Sequence, residues 1–251
     1  MSGLRDALSF FSIFPLGKRK DLGDSIIFYF TVSGFLIAIV PAGLFYLFSL
    51  RLHTIAASAI SLSVLLVISG LTHLDGVLDS GDALMARGTR EHRIEVLKDR
   101  YTGAGAVGTV LVIYLTYFAV LSGFSPYYGF AAVIIGEMTS KLSLTISTGY
   151  FPSIGEGLAR MFSDIYMRAS VSPAFINAVP LMIAVLILSP PALIGVLLSM
   201  IAYGISARLL RKSFGGLNGD LMALLGEISR VIFIISFALI LTIPAFKFTF
   251  F

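Results

Sequence analysis

Long apolar runs alternate with brief polar breaks along nearly the whole chain. The runs at 26–50, 55–71, 107–123, 127–147, 171–188, 192–207 and 231–246 approach or exceed the length a helix needs to cross about 30 Å of hydrocarbon. They predict seven transmembrane helices, of which the sixth is short and the fourth carries Glu137 and Lys141 within it. Ahead of them, residues 4–14 set Leu, Phe and Ile between polar positions at helical spacing. That pattern predicts an amphipathic helix, lying on the membrane surface or packed on the bundle. Breaks on one side are short, at Arg51-Leu52-His53, at 123–126 and at Ser189-Pro190-Pro191, and on the other they are long. The expectation is an all-α, polytopic membrane helix bundle forming one integral-membrane domain over residues 1–251.

Composition agrees and removes alternatives. Hydrophobic residues make up 57% of the chain, charged residues 13%, and mean hydropathy is +0.95, which a soluble domain of this size does not sustain. Without cysteine the chain has no disulfide, no thiolate metal site and no thiol nucleophile. Arg5, Asp6 and Pro15 interrupt the first apolar stretch, so no cleavable signal is expected. The net charge of +4 matters less than its arrangement. With the N-terminus inside, only Arg51 and Lys247 of the 18 Lys and Arg residues fall outside, and all 14 acids lie in or beside the inner segments. The bias predicts a multi-pass protein of the cell membrane with its chemistry on the cytoplasmic face. A transporter would more often carry ionisable groups near mid-membrane. No nucleic-acid partner is expected; membrane lipid is, and a homo-oligomer is compatible with the sequence.

The densest chemistry follows the second run, in His73-Leu74-Asp75-Gly76-Val77-Leu78-Asp79-Ser80-Gly81-Asp82. At roughly 100° per residue Asp75, Asp79 and Asp82 share one helix face, and three converging carboxylates repel unless a cation sits between them. Oxygen ligands of this kind suit Mg²⁺, whose usual partner is a substrate phosphate. Beyond them Thr89 is placed to cap a short helix, with Glu91, His92 and Glu95 on a solvated face. Arg93, Lys98, Asp99 and Arg100 follow. Gly103, Gly105 and Gly108, at the start of the third run, either bare N–H groups to a phosphate or let helices approach closely. Glu137 and Lys141 are either a helical ion pair or the lining of a site cavity. Gly219-Asp220, in the last inner loop, offers an N-cap-like residue or a further metal or ribose ligand.

This ordered set, His73-Leu74-Asp75-Gly76 with Asp79 and Asp82, Lys98-Asp99 with Gly103 and Gly108, Glu137 with Ser140, Glu156-Gly157-Leu158, and Gly215-Gly216 with Gly219-Asp220, resembles the cobalamin synthase family, the adenosylcobinamide-GDP ribazoletransferases. Lys141 stands where that family commonly carries Arg, and 151–160 is a looser match. The resemblance implies a Mg²⁺-dependent membrane enzyme joining adenosylcobinamide-GDP to α-ribazole or its 5′-phosphate, with release of GMP. In that chemistry Asp75, Asp79 and Asp82 would hold the metal, and Arg93, Lys98 or Arg100 would add positive charge. Asp99 is the first choice for the base that takes the hydroxyl proton, and His73 the second. The CDP-alcohol phosphotransferases use similar logic, but their Asp-Gly…Ala-Arg pattern is not met, because Ala86-Arg87 comes too late.

Overall fold

The computed structural model describes residues 2–16 and 22–244; Lys247 and the end of the last apolar run lie outside them. In chain order the helices are α1 (Ser2–Phe11), α2 (Phe30–Ser49, entered through a 3-10 turn at Asp24–Tyr29), α3 (Thr54–Ile68), α4 (Thr72–Met85), α5 (Arg90–Val96) and α6 (Ala104–Leu121), then α7 (Pro126–Tyr150), α8 (Leu158–Arg168), α9 (Pro173–Leu188), α10 (Ala192–Phe214) and α11 (Gly219–Thr242). Among the described residues no strand forms, and one isolated parallel bridge joins Ser153 to Leu217.

Five segments are by themselves long and apolar enough to cross a membrane: α2 with its 3-10 turn, α6, α7, α10 and α11. Two further spans arise if each bent pair counts as one, α3–α4 turned by 92° and α8–α9 by 93°. The protein is a multi-pass helical bundle of five to seven spans. The runs at 26–50, 55–71, 107–123, 127–147, 171–188 and 192–207 each contain the bulk of one helix.

Two boundaries differ from the sequence expectation. The second run does not continue as a straight helix, because Gly70 and Leu71 take positive φ (68° and 59°) and stop α3, so that α4 restarts across the bundle end. The last span begins at Gly219 rather than near 231, which puts Glu227 and Arg230 well inside a membrane helix. Charge in the sequence mimics a loop there; in the fold those side chains are buried and paired.

Helix α7 is the central pillar, with 89% of its apolar window buried against 28% for α6 and 33% for α10. A helix surrounded by protein need not be lipophilic, which is why Glu137, Thr139, Ser140, Lys141 and Ser143 sit on it fully buried. It packs chiefly on α2 and α11. Helix α1 lies on the bundle, with Ala7 and Phe11 buried beneath it. Asn177 of α9 fixes the entry to α2, accepting from the Thr31 N–H at 2.7 Å and donating to the Ile27 carbonyl at 2.8 Å.

Candidate active site

Helix α4 carries the acidic face. Asp75 is exposed, while Asp79 and Asp82 are half-buried. Gly76 and Gly81 flank that face on its two sides, and both glycines are required by packing. A Cβ on Gly76 would lie 3.0 Å from the Asp220 Cα, and one on Gly81 would lie 2.8 Å from the Gly105 carbonyl oxygen. Helix α11 and helix α6 can therefore close on α4 from two sides. The first of these contacts brings Asp220, distant in sequence, to the acidic face.

The consequence is electrostatic. Burial, and then the charges of Asp220, Asp75 and Asp82, push the Asp79 carboxyl up to about 6; α4 is turned away from α3 and is too short to be a span itself. Asn218 caps α11 by accepting from the Leu221 N–H at 3.0 Å and holds Asp220 through a 2.7 Å donation to its Oδ2. Gly219 beside it is exposed, with open space where a Cβ would stand.

Asp82 has another task. Its carboxylate accepts the Gly103 N–H at 2.5 Å and the Ala106 N–H at 2.8 Å, so it caps the first turn of α6. This decides between the two readings left open for these glycines. The Gly103 N–H is taken by Asp82 and is not free for a phosphate, and Gly105 serves the close approach of α4 and α6. Among the described residues no three acids or histidines stand close enough to enclose one ion. The expected cage of Asp75, Asp79 and Asp82 is therefore not closed by the protein, because Asp82 is turned to a helix N-terminus. What remains is a carboxylate set around Asp79, whose hard oxygen donors are of the kind that suit Mg²⁺.

Helix α5 is capped by Thr89, which accepts from the His92 N–H at 3.3 Å, as its sequence predicts. Glu91 in its first turn is exposed and held below the usual carboxylate range by its own N–H and then by Thr89. Arg93 reaches back to the Ala86 carbonyl at 3.2 Å and ties α5 to the end of α4. Lys98, Asp99 and Arg100 are exposed on the following loop, where the Asp99 carboxylate accepts the Tyr101 N–H at 3.3 Å. Arg90, which the sequence did not single out, lays its guanidinium over Gly215 of the α10–α11 loop.

Behind the acidic face lies a closed ring of five buried ionisable groups. His73 Nδ1 is 3.0 Å from Glu227 Oε1, and Lys141 Nζ is 3.3 Å from His73 Nε2. Lys141 also meets Glu137 Oε1 at 2.9 Å. Arg230 donates to Glu137 Oε2 at 2.7 Å and to Glu227 Oε2, closing the ring. Two carboxylates, two cations and a neutral imidazole sum to zero charge, which suits a dry bundle interior. With Nδ1–H donating to Glu227, Nε2 accepts from Lys141, and both ring nitrogens are used.

The ring bears on three further expectations. His73 has no ring nitrogen free to act as base. Glu137 and Lys141 form the helical ion pair, the first of their two alternatives, and join the ring. Nor is all the charge chemistry gathered at one interface, although these buried groups compensate one another and leave no unpaired charge for a cargo. Arg230 was missed because it reads as the flank of a loop; its i−3 spacing from Glu227 was the available signal.

Helices, an acidic end-face and a neutralised polar core together define a polytopic membrane protein with an acidic face at one end of its bundle. The cobalamin-5-phosphate synthase family matches residues 3–238, and the chain belongs to that family, whose enzymes are transferases of the final assembly of cobalamin. Adenosylcobinamide-GDP ribazoletransferase of Picrophilus torridus is 34% identical over 250 residues, covering 98% of this chain and 99% of the relative. The protein of the same name from Thermoplasma acidophilum is 33% identical over 93% of this chain and 90% of its own length. That of Pyrococcus abyssi is 30% identical over 95% and 100%. No solved structure matches the chain.

Proposed function

We propose that this chain joins adenosylcobinamide-GDP to α-ribazole or its 5′-phosphate on the cytoplasmic face of the cell membrane. The names of its relatives and the carboxylate set around Asp79 support this reading. A ribazole hydroxyl oxygen forms a bond to the phosphorus that carries the cobinamide arm; the bridging P–O bond of the diphosphate breaks, GMP leaves, and the hydroxyl proton passes to a base. Asp79, with Asp75 beside it on α4, would hold Mg²⁺, which when bound stabilises negative charge on the diphosphate. Asp82 and Asn218 position the two neighbouring helix ends. Lys98 and Arg100, exposed on the α5–α6 loop, would bring positive charge to the leaving phosphate. Asp99 is the proposed base, since its carboxylate is exposed and engages only one N–H.

The site's charge on the inner loops, with Arg51 on the other side, supports the cytoplasmic assignment. The test is direct: detergent-purified protein with adenosylcobinamide-GDP, α-ribazole and Mg²⁺ is expected to yield a cobalamin and GMP in equal amounts. Absence of GMP release with both substrates present, or release that does not depend on α-ribazole, would overturn the proposal.

A further inference from the structure

A cavity of about 380 Å³ opens where α1, α2, α4, α7, α8 and α11 meet, within the range of small-molecule sites. Its walls are rings. Phe10 and Phe11 of α1, Phe30 of α2 and Phe162 of α8 stand in successive edge-to-face contact, with centroids 4.8 Å apart for Phe11–Phe30, 5.4 Å for Phe30–Phe162 and 5.3 Å for Phe10–Phe162. Its polar edge is formed by His73 and by Asp220 of the acidic site. Phe11 also covers the buried charge ring, with Lys141 Nζ 4.4 Å from its centroid and the His73 imidazole edge-on to it. The cavity is thus mostly apolar within, with Thr72, His73, Thr148 and Asp220 as its polar lining, and it meets the acidic face at Asp220.

We infer that this cavity takes the flat heteroaromatic base of the nucleoside acceptor, with the ribose directed past Asp220 toward the acidic site; the inference rests on the proposed function. Aromatic walls in edge-to-face array favour a planar ring inserted among them. A guanine would leave its several donors and acceptors unpaired there, at a cost that an apolar wall cannot offset. The corrin macrocycle is too large for the space. A base with few hydrogen-bonding atoms meets both limits, and Asp220, a carboxylate of the lining held in place by Asn218, is able to pair with a ribose hydroxyl.

Ala159 lines the cavity, and Ala159→Leu fills part of it without adding charge. Calorimetric titration of α-ribazole into the detergent-solubilised protein, with a parallel benzimidazole titration, reads binding apart from turnover. Ala159→Leu is expected to weaken α-ribazole binding and raise its KM at least tenfold, while the KM for adenosylcobinamide-GDP stays within twofold. Phe162→Leu, which conserves the apolar wall but removes a ring, should weaken α-ribazole several-fold and serves should the first variant not fold. If α-ribazole and benzimidazole bind both variants as they bind the parent, or if a long-chain detergent alone displaces them, the cavity is a lipid pocket and the inference fails. Should the parent bind α-ribazole in an Ala159-dependent manner yet release no GMP, the binding site stands and the proposed reaction falls.

Discussion

Replacing Arg230 by Met removes the one cation that bridges two carboxylates inside the bundle. Glu137 and Glu227 are each 1% exposed, and Arg230 contacts both. Breaking a buried pair by deleting one partner costs about 3–5 kcal/mol. Glu137 keeps the Lys141 cation at 2.9 Å, whereas Glu227 keeps the neutral His73 N–H at 3.0 Å, so the loss falls mainly on Glu227. An unfolded chain in a membrane finds substitute partners, which trims such values; about 3 kcal/mol is expected for Arg230→Met. The double variant Arg230→Met/Glu227→Gln removes the stranded charge along with its cation and should recover at least half of that. Lys141→Met, which leaves Glu137 still bonded to Arg230, should cost less, about 2 kcal/mol. Reversible unfolding by SDS titration in mixed micelles measures all three. An Arg230→Met loss below about 1 kcal/mol, or a double variant no more stable than the single, would refute the closed ring.

Four shorter predictions concern the acidic site and its setting. Because the folded protein holds the Asp79 proton up to about 6 and the unfolded chain releases it near 4, metal-free stability should be greatest at low pH and decline as pH rises through 6; melting curves from pH 4.5 to 7.5 should lose that decline in Asp79→Asn, which should also cut turnover by orders of magnitude. Asp82→Ala should lower metal-free stability by about 1 kcal/mol through loss of the α6 cap, whereas a residue serving only as a metal ligand would leave it unchanged. In Mg²⁺ titrations of kcat at saturating substrates, Asp75→Asn should be partly rescued by high metal and Asp99→Asn should not; equal rescue would make Asp99 a ligand. Single cysteines at the exposed positions Thr102, Ser170 and Ser125 should label with an impermeant reagent in intact cells at Ser125 only, and labelling at Thr102 or Ser170 would reverse the topology.

What the sequence discloses and what it hides divides along contact distance. Apolar run length locates the spans, the spacing of Asp75, Asp79 and Asp82 locates the acidic face, and Thr89 announces α5, since each of these is set within a few residues of itself. Asp82 looked like a third metal ligand because its partners at Gly103 and Ala106 lie 21 and 24 residues away. The charge ring joins residues 68, 93 and 154 apart, so its members read singly as an ion pair, a site base and a loop end. Arg230 is the sharpest case: an arginine in a sequence marks the end of a span, unless two carboxylates from other turns await it.

These long-range contacts explain how α4 keeps an unfavourable set of charges in place. Its first turn is fixed through His73 to the ring on α7 and α11, and its last turns are fixed through Asp82 to the start of α6. Gly76 and Gly81 let both neighbours close on the face between. Asp75 and Asp79 are thereby left on a helix fixed at both ends, beside Asp220, and among the described residues neither is ion-paired to a Lys or Arg. A flexible loop carrying the same acids would relax by turning them apart into water. Clamped at both ends, α4 cannot, and the repulsion held there is relieved by a proton on Asp79 or by a bound cation.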